Sequence, residues 1–570
     1  MKQLSTSKYG WILLLVILAA LNLLAARFHY RIDLTQEKRY TLSAPTRELL
    51  GKVDDEVEVD LFLQGDLKAG GIRELSKSTE ELLQEFSEYS EGRIHVRSYD
   101  PLANLGDSAK AALLDSLRGI GLQPMTQVAQ SKKGEEESQR IVIPGAIIKY
   151  HDKILPVNLL KGVQTSREGQ PEEQLYTNAE TLLEYKFGSA IDKITRKHTP
   201  AIGYVMGNGE PLDFSVYDLI QDLRTNYHFG VVRLDSLPVI PSAYTALIIV
   251  KPTQKFTDRE KLTLDQYLMH GGRLIWAIDN LQADMDSLRL DQETIAFDRG
   301  LELEDLFFRY GVRVRQDLIE DMQCANINLV VGMQGDKPQI QLLPWPYFPL
   351  LNGSLAHPIS KNLDPVYAKF PNSVDTVEAP GIQKTVLLQT SPNGLSVSTP
   401  ARISFESVKQ ATDPNVFHTP DIPVAWLLEG KFRSLFANRL PQAVADSLAS
   451  VYGQPFLPVA DTPSRVIVIA NGDILLNDVS RQGPLPMGFN KDVNYTFANE
   501  DFIQNCVEYM VNPSHILETR TKDFTLRLLD PARVEADRTF WQFINIALPV
   551  LLVIAGGYIY QFLRRRKYQG

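Results

Sequence analysis

AIGYVMGNGE (Ala201–Glu210), ALIIV (Ala246–Val250), TDREKLTLDQYLMHGG (Thr257–Gly272) and RLIWAI (Arg273–Ile278) are the stretches whose reading decides the fold class. Each apolar run is short, rich in β-branched residues and almost uninterrupted, as a strand covered on both faces requires. Gly207-Asn208-Gly209 turns the first run into a helix predicted over Val216 to Thr225, and a further strand is predicted over Val231 to Leu234. Thr257 and Glu260 have the spacing of a capping box, the helix they open is predicted to run to His270, and Gly271 supplies its C-cap. Strands alternating with helices give a doubly wound α/β domain of flavodoxin/amidotransferase-like type.

Upstream, a helix begins within Leu42 to Gly51, and Val57 to Leu63 (VEVDLFL) alternates as a half-buried strand does. Ile72 to Tyr89 places Ile72, Leu75, Leu82, Leu83, Phe86 and Tyr89 at helical spacing before a second alternating run, Arg93 to Tyr99. This β-α-β order makes the two strands parallel neighbours. Strands are also predicted over Gln123 to Gln130 and Arg140 to Tyr150, with the charged Ser131 to Gln139 between them as a hairpin tip. Asn178 is read as the cap of a helix on Ala179, Leu182, Leu183, Phe187, Ala190, Ile191 and Ile194, ending near Pro200. Beyond about residue 340 the texture changes to proline turns, Asn-Gly pairs and short strands, the best being Val386 to Thr390, Val424 to Leu428 and Arg465 to Ala470.

The two ends have a different character. Tyr9 to Ala26 is an uncharged run about 27 Å long as a helix, close to the thickness of a bilayer's hydrocarbon core. Phe540 to Phe562 is a second. The first reads as an uncleaved anchor, with a cleaved signal peptide as the alternative, since Lys2 and Lys8 form a basic lead-in and Leu24-Ala25-Ala26 is small-residue-rich. Lys2 and Lys8 before the first helix, and Arg564-Arg565-Arg566-Lys567 after the second, place both termini in the cytoplasm. The expected order is a cytoplasmic N-terminus (1–8), a transmembrane helix (9–26), a first periplasmic α/β domain (27–199), the doubly wound domain (200–340), a mixed α/β segment (341–539), a second transmembrane helix (540–562) and a basic cytoplasmic tail (563–570). The expected setting is therefore the inner membrane, with a multi-domain ectodomain in the periplasm.

Composition narrows the function. The 570 residues carry a formal net charge of −10, and setting aside the six terminal cations leaves roughly −16 on the intervening region, which excludes a nucleic-acid binder. Cys324 and Cys506 are the only cysteines, and they are read as two buried thiols or a pair. None of the nine histidines has another within five residues, and no metal-site spacing occurs, so no metal ligand or cofactor residue is assigned. Gly207, Asn208, Gly209 and Glu210 invite a phosphate-cradle reading, but the third glycine is missing and Glu210 repels an anion; a tight turn fits better. After the Ala246–Val250 strand, Lys251-Pro252-Thr253-Gln254 offers no nucleophile elbow. No catalytic residue is assigned, and a non-enzyme is expected. Cys324 is the one thiol that a hydrolase or amidotransferase-like alternative could recruit. In the last apolar run Gln542, Asn545, Pro549, Gly556 and Gly557 suit packing against a partner membrane helix, or else amides near each interface and a tolerated proline.

One ordered series spans nearly the whole chain: Arg31-Ile32-Asp33-Leu34-Thr35, Tyr40-Thr41-Leu42-Ser43, Gly207-Asn208-Gly209-Glu210, Asp265-Gln266-Tyr267 with Gly271-Gly272, Trp345-Pro346-Tyr347-Phe348-Pro349, and Leu428-Glu429-Gly430-Lys431-Phe432. It continues with Asn499-Glu500-Asp501-Phe502, Leu526-Arg527-Leu528-Leu529-Asp530 and Trp541-Gln542-Phe543-Ile544-Asn545. The series resembles the GldG family, the gliding-motility-associated auxiliary or substrate-binding components of an inner-membrane ABC transporter in Bacteroidetes-type bacteria. The resemblance implies a GldF-like permease and a GldA-like cytoplasmic ATPase as partners, with a role in gliding or the secretion machinery that supports it. It brings no catalytic residues, and the lack of a Walker A motif agrees with ATP hydrolysis elsewhere. An independent periplasmic scaffold or binding protein is the competing reading; the substrate is not legible.

Overall fold

The computed structural model describes residues 41–570 apart from 65–69, 104, 129–138, 162–171, 284, 286–287, 289–292, 335–336, 410–412, 414, 513, 522–530 and 569–570; of the first forty it describes only Leu15, Val16, Leu18 and Ala19. The expected first membrane helix and the tip of the 131–139 hairpin thus lie almost wholly outside the described residues. The chain divides into two compact units, Met1–Lys522 and Asp523–Gly570.

In the first unit, α1 (Ala44–Gly51) is capped by the Ser43 hydroxyl, which accepts from the Thr46 amide. Then come β1 (Val57–Leu61), α2 (Gly70–Tyr89) and β2 (Ile94–Ser98), with β1 and β2 parallel as the β-α-β reading requires. β3 (Gly145–Tyr150) and β4 (Lys153–Asn158) extend this sheet antiparallel, giving the order β2-β1-β3-β4. The single strand expected over Arg140 to Tyr150 is broken at Pro144, which lacks an amide to donate: Gln139–Val142 pairs instead with Met125–Val128. α3 (Glu172–Thr195) corrects the cap reading, because it starts before Asn178. Tyr176 and Ala179 are both buried in the same core, so packing one turn upstream carries the helix past the residue with the best capping chemistry.

The second sheet holds ten strands. β5 (Ala201–Met206), α4 (Tyr217–Asn226), β6 (His228–Arg233), β7 (Tyr244–Val250), α5 (Asp258–Met269) and β8 (Arg273–Ala277) follow in order, and the Thr257–Glu260 capping box is present. α6 (Glu304–Tyr310) leads to a long hairpin, β9 (Cys324–Gln334) and β10 (Lys337–Gly353). β11 (Ile382–Gln389), β12 (Pro423–Gly430), β13 (Ser464–Ile469) and α7 (Asn499–Val511) complete the unit. The sheet order is β9-β10-β11-β12-β13-β8-β7-β5-β6, with Val366–Tyr367 paired to β10. β6, β5, β7, β8 and β13 are mutually parallel, and β12, β11, β10 and β9 continue antiparallel. The expected division at 340/341 falls inside β10, and the sheet runs straight across it.

Alternation along the parallel strands feeds two cores. Ile275, Ala277, Ile467 and Ile469 point to the face covered by α4 and α7, through Leu219, Leu223, Phe502 and Met510. Leu274, Trp276, Val466 and Val468 point to the face covered by α5 and α6, through Leu264, Leu268, Leu306 and Phe307. The Trp345-Pro346-Tyr347-Phe348 run forms a third centre, where the Trp345 ring lies 4.8 Å from Phe348 and 5.6 Å from Phe370. The second unit is α8 (Pro531–Tyr568). Within it Phe540–Arg566 is long and apolar enough to cross a membrane, the one such helix among the described residues.

Candidate functional site

In an open sheet of parallel strands, loops from the carboxyl ends converge, and ligands bind where the strand order reverses. Here the reversal lies between β5 and β7. The loop after β5 is Gly207-Asn208-Gly209-Glu210. Its anion position is occupied by the chain itself: the Asn208 amide donates to a Glu210 carboxylate oxygen at 2.8 Å. Burial pushes the Glu210 carboxyl up, and backbone amides of the loop pull it back. The Asn208 carbonyl accepts from the Thr253 and Gln254 amides, each at 2.9 Å, and its side-chain amide donates to Glu260 at 3.2 Å. Gly209 is left-handed at φ +82°, and a side chain there would run into the Thr253 hydroxyl. The loop therefore latches the β5 and β7 ends together.

Beside that latch a cleft of about 490 Å³ opens over the carboxyl ends of β7 and β13. Lys251, the residue after β7, has a left-handed φ of 44° and sets its ammonium between two carboxylates, Asp473 at 2.6 Å and Asp279 at 3.2 Å. Burial alone would drive the Lys251 ammonium down, but the two aspartates more than reverse this and hold it above the usual lysine range. The Asp279 carboxyl follows β8 and is pushed up by burial, opposed by Lys251 and by the Gly472 amide, which donates to it at 2.6 Å. A side chain at Gly472 would meet the Lys251 stem, so the ion pair is seated on a glycine. Across the cleft Lys369 pairs with Asp478 at 2.6 Å and lies 5.5 Å from the centre of the Tyr367 ring. Phe348, Phe370 and Ile327 give this wall its apolar part. The combination of an aromatic wall with fixed charges of both signs suits recognition of a polar ligand or a partner's loop.

Of the residues singled out in sequence, none of Gly207 to Glu210 lines this cleft. Lys251, Asp279 and Asp473 carry no motif; their signal is position, each one to four residues beyond an apolar run. Cys324 and Cys506 are free thiols, Cys324 half-buried and Cys506 fully so. Burial, then Asp321, pushes the Cys324 thiol up to about 12, which disfavours the thiolate that a nucleophile needs. Among the described residues no group of histidine, cysteine and carboxylates has metal-site geometry. In α8, Gln542 and Asn545 are exposed, and side chains added at Gly556 or Gly557 would meet open space.

Comparison with known proteins completes the site's context. Residues 36–149 match a domain of unknown function, DUF7088. No curated protein matches the chain. Among solved structures, the mmIFT52 N-terminal domain is 14% identical, with 55% of this chain and 97% of that one covered at a TM-score of 0.30. A putative thua-like protein from Parabacteroides merdae is 10% identical, with 55% and 90% covered at 0.26. Residues 199–506, more than half of the chain and the whole of the ten-stranded sheet with its cleft, match the model described as an ABC-type uncharacterized transport system. The chain belongs to that family.

Proposed function

We propose that this protein is a non-catalytic, membrane-anchored subunit of an ABC transport system, working with a permease and a cytoplasmic ATPase. The family match over residues 199–506 carries the reading. Support for the anchor comes from the apolar Phe540–Arg566 helix, whose exposed Gln542 and Asn545, Pro549 and the open Gly556-Gly557 surface suit a partner helix. In this reading both termini are cytoplasmic, the ectodomain is periplasmic, and the partners are GldF-like and GldA-like proteins serving gliding or secretion. The five parallel strands form its doubly wound, flavodoxin/amidotransferase-type part; their order, second-first-third-fourth-fifth along the chain, supports this. The sheet-end cleft is the surface offered to the cargo or to an envelope partner.

The test is recovery from native membranes in mild detergent, with the Phe540–Arg566 helix native or replaced by an unrelated span. The expected result is a permease and ATPase that come with the native helix alone. Recovery of neither from either version would overturn the reading in favour of an independent scaffold.

A further inference from the structure

A second cleft, of about 950 Å³, lies in the first unit between α3 and β4 on one side and α4, α7 and the Ile516–Thr521 turn on the other. Arg520 lines it and is only 4% exposed. A buried guanidinium ordinarily has a carboxylate partner, because an unpaired charge out of water is costly. Arg520 has none within 4 Å among the described residues. Its Nε is buried with no hydrogen-bond partner, and its one donated bond among the described residues is a long 3.5 Å contact from Nη2 to the Lys361 carbonyl. The guanidinium lies 4.9 Å from the centre of the Tyr185 ring, which fixes its plane.

The surrounding charges nearly balance, so it is the guanidinium edge and not net charge that marks the site. Lys161 is matched by Glu500 at 2.8 Å, while the Asp222 carboxylate accepts from Gln504 at 3.0 Å. Lys186 donates to three main-chain carbonyls, of Asn158, Leu159 and Lys161, at 2.6–3.1 Å, and burial pulls its ammonium down to about 7. Lys193 makes no ion pair within 4 Å among the described residues, but despite its burial the Glu508 and Asp222 carboxylates hold its ammonium above the usual lysine range. Against Arg520, Lys186 and Lys193 stand Asp222, Glu508 and Asp501; the Asp501 carboxylate accepts no hydrogen bond among the described residues, and burial raises its proton affinity. The buried Nε of Arg520, without a partner on the wall of a cleft, is the feature that suits an anion.

We propose that the cleft binds a small oxyanion, a phosphate or carboxylate group, taken by the guanidinium edge of Arg520 with Lys193 as second cation, and that Asp501 restrains its affinity. The site stands whether or not the chain serves a transporter. Phosphate arrives either as a free small molecule or on a lipid headgroup, and the same experiment separates the two.

Full-length protein in non-ionic detergent is titrated at constant ionic strength with inorganic phosphate, succinate or a short-chain phosphatidylglycerol, and thermal unfolding is followed. A saturable rise in Tm is expected with at least one probe. Arg520→Gln should raise the half-saturating concentration about tenfold or more and Lys193→Gln by a smaller factor, the loss of a charge-assisted hydrogen bond. Asp501→Asn should lower it severalfold, a direction that a merely structural role would not produce. If Arg520→Gln does not fold, the opposite shifts expected of Lys193→Gln and Asp501→Asn decide the question. A stronger response to the lipid than to phosphate assigns the headgroup as source; a stronger response to phosphate or succinate assigns a free anion. No saturable shift with any probe, or half-saturation unchanged across the variants, would overturn the proposal.

Discussion

The parallel half of the large sheet and its hairpin end use the same residue types and treat them oppositely. Ile248, Ile275 and Val468 in β7, β8 and β13 are wholly buried, whereas Val330, Met333 and Ile340 on the β9–β10 hairpin are 62%, 66% and 59% exposed. The register sets Val330 opposite Ile340 and Met333 opposite Pro338, so this apolar surface lies on one face of the hairpin. The cause is connectivity. A parallel strand needs a crossover, and the crossover helix covers a face of the sheet; an antiparallel hairpin closes with a turn and brings no cover with it.

The largest test of that contrast is a matched pair of truncations in the full-length protein. Ile248→Ala should cost about 4 kcal/mol, as buried large-to-small changes do, while Ile340→Ala should stay within about 0.5 kcal/mol. Equal costs, read as unfolding midpoints in mild detergent, would mean that something covers the hairpin. A second test concerns the seam between the halves. The buried Asp265 of α5 accepts from the Ser434 hydroxyl at 2.6 Å, the Leu435 amide at 3.0 Å and the Tyr310 hydroxyl at 3.1 Å, tying the helix to the segment after β12. Asp265→Ala strands these donors and should cost about 3 kcal/mol, measured in the same unfolding experiment.

The third test is pH dependence confined to the antiparallel half. Glu320 lies beside the hairpin in the strand Asp317–Asp321, and burial pushes its carboxyl up to about 7 from the ordinary 4.5. The fold favours the neutral form, so this group's contribution is complete below pH 4.5 and is lost as pH rises through 7. Glu320→Gln should therefore be nearly neutral at pH 4 and stabilising by about 2 kcal/mol at pH 8.5. An equal effect at both pH values would refute the assignment. The smallest effect expected is at the β5–β7 latch, where Gly209→Ala forces a side chain into left-handed backbone against Thr253 and should cost about 1–2 kcal/mol. No loss there would mean that the latch yields freely.

Much of the fold was legible because its signals are local. Thr257 and Glu260 meet three residues apart, Gly271 ends α5 just past its C-cap, and the apolar runs of β5, β7, β8 and β13 name themselves as covered strands. Asn178 misled because good capping chemistry loses to the burial of Tyr176 one turn earlier. Arg140 to Tyr150 misled because one proline inside an apolar run splits a strand that hydropathy alone joins.

Sequence by itself determined the α/β class, the parallel pairing of β1 with β2, most strand and helix positions, and an apolar span near the C-terminus, because each follows from periodicity, caps and turn residues within a few turns of chain. Only the tertiary structure decided that β13 sits beside β8, that Glu210 fills the loop an anion would have used, that Gly472 meets Asp279 from 193 positions away, and that Arg520 lies on Tyr185 without a carboxylate. Those pairings depend on which surfaces remain to be buried once the local elements exist. That choice is made by the whole core together and leaves no mark in any one segment.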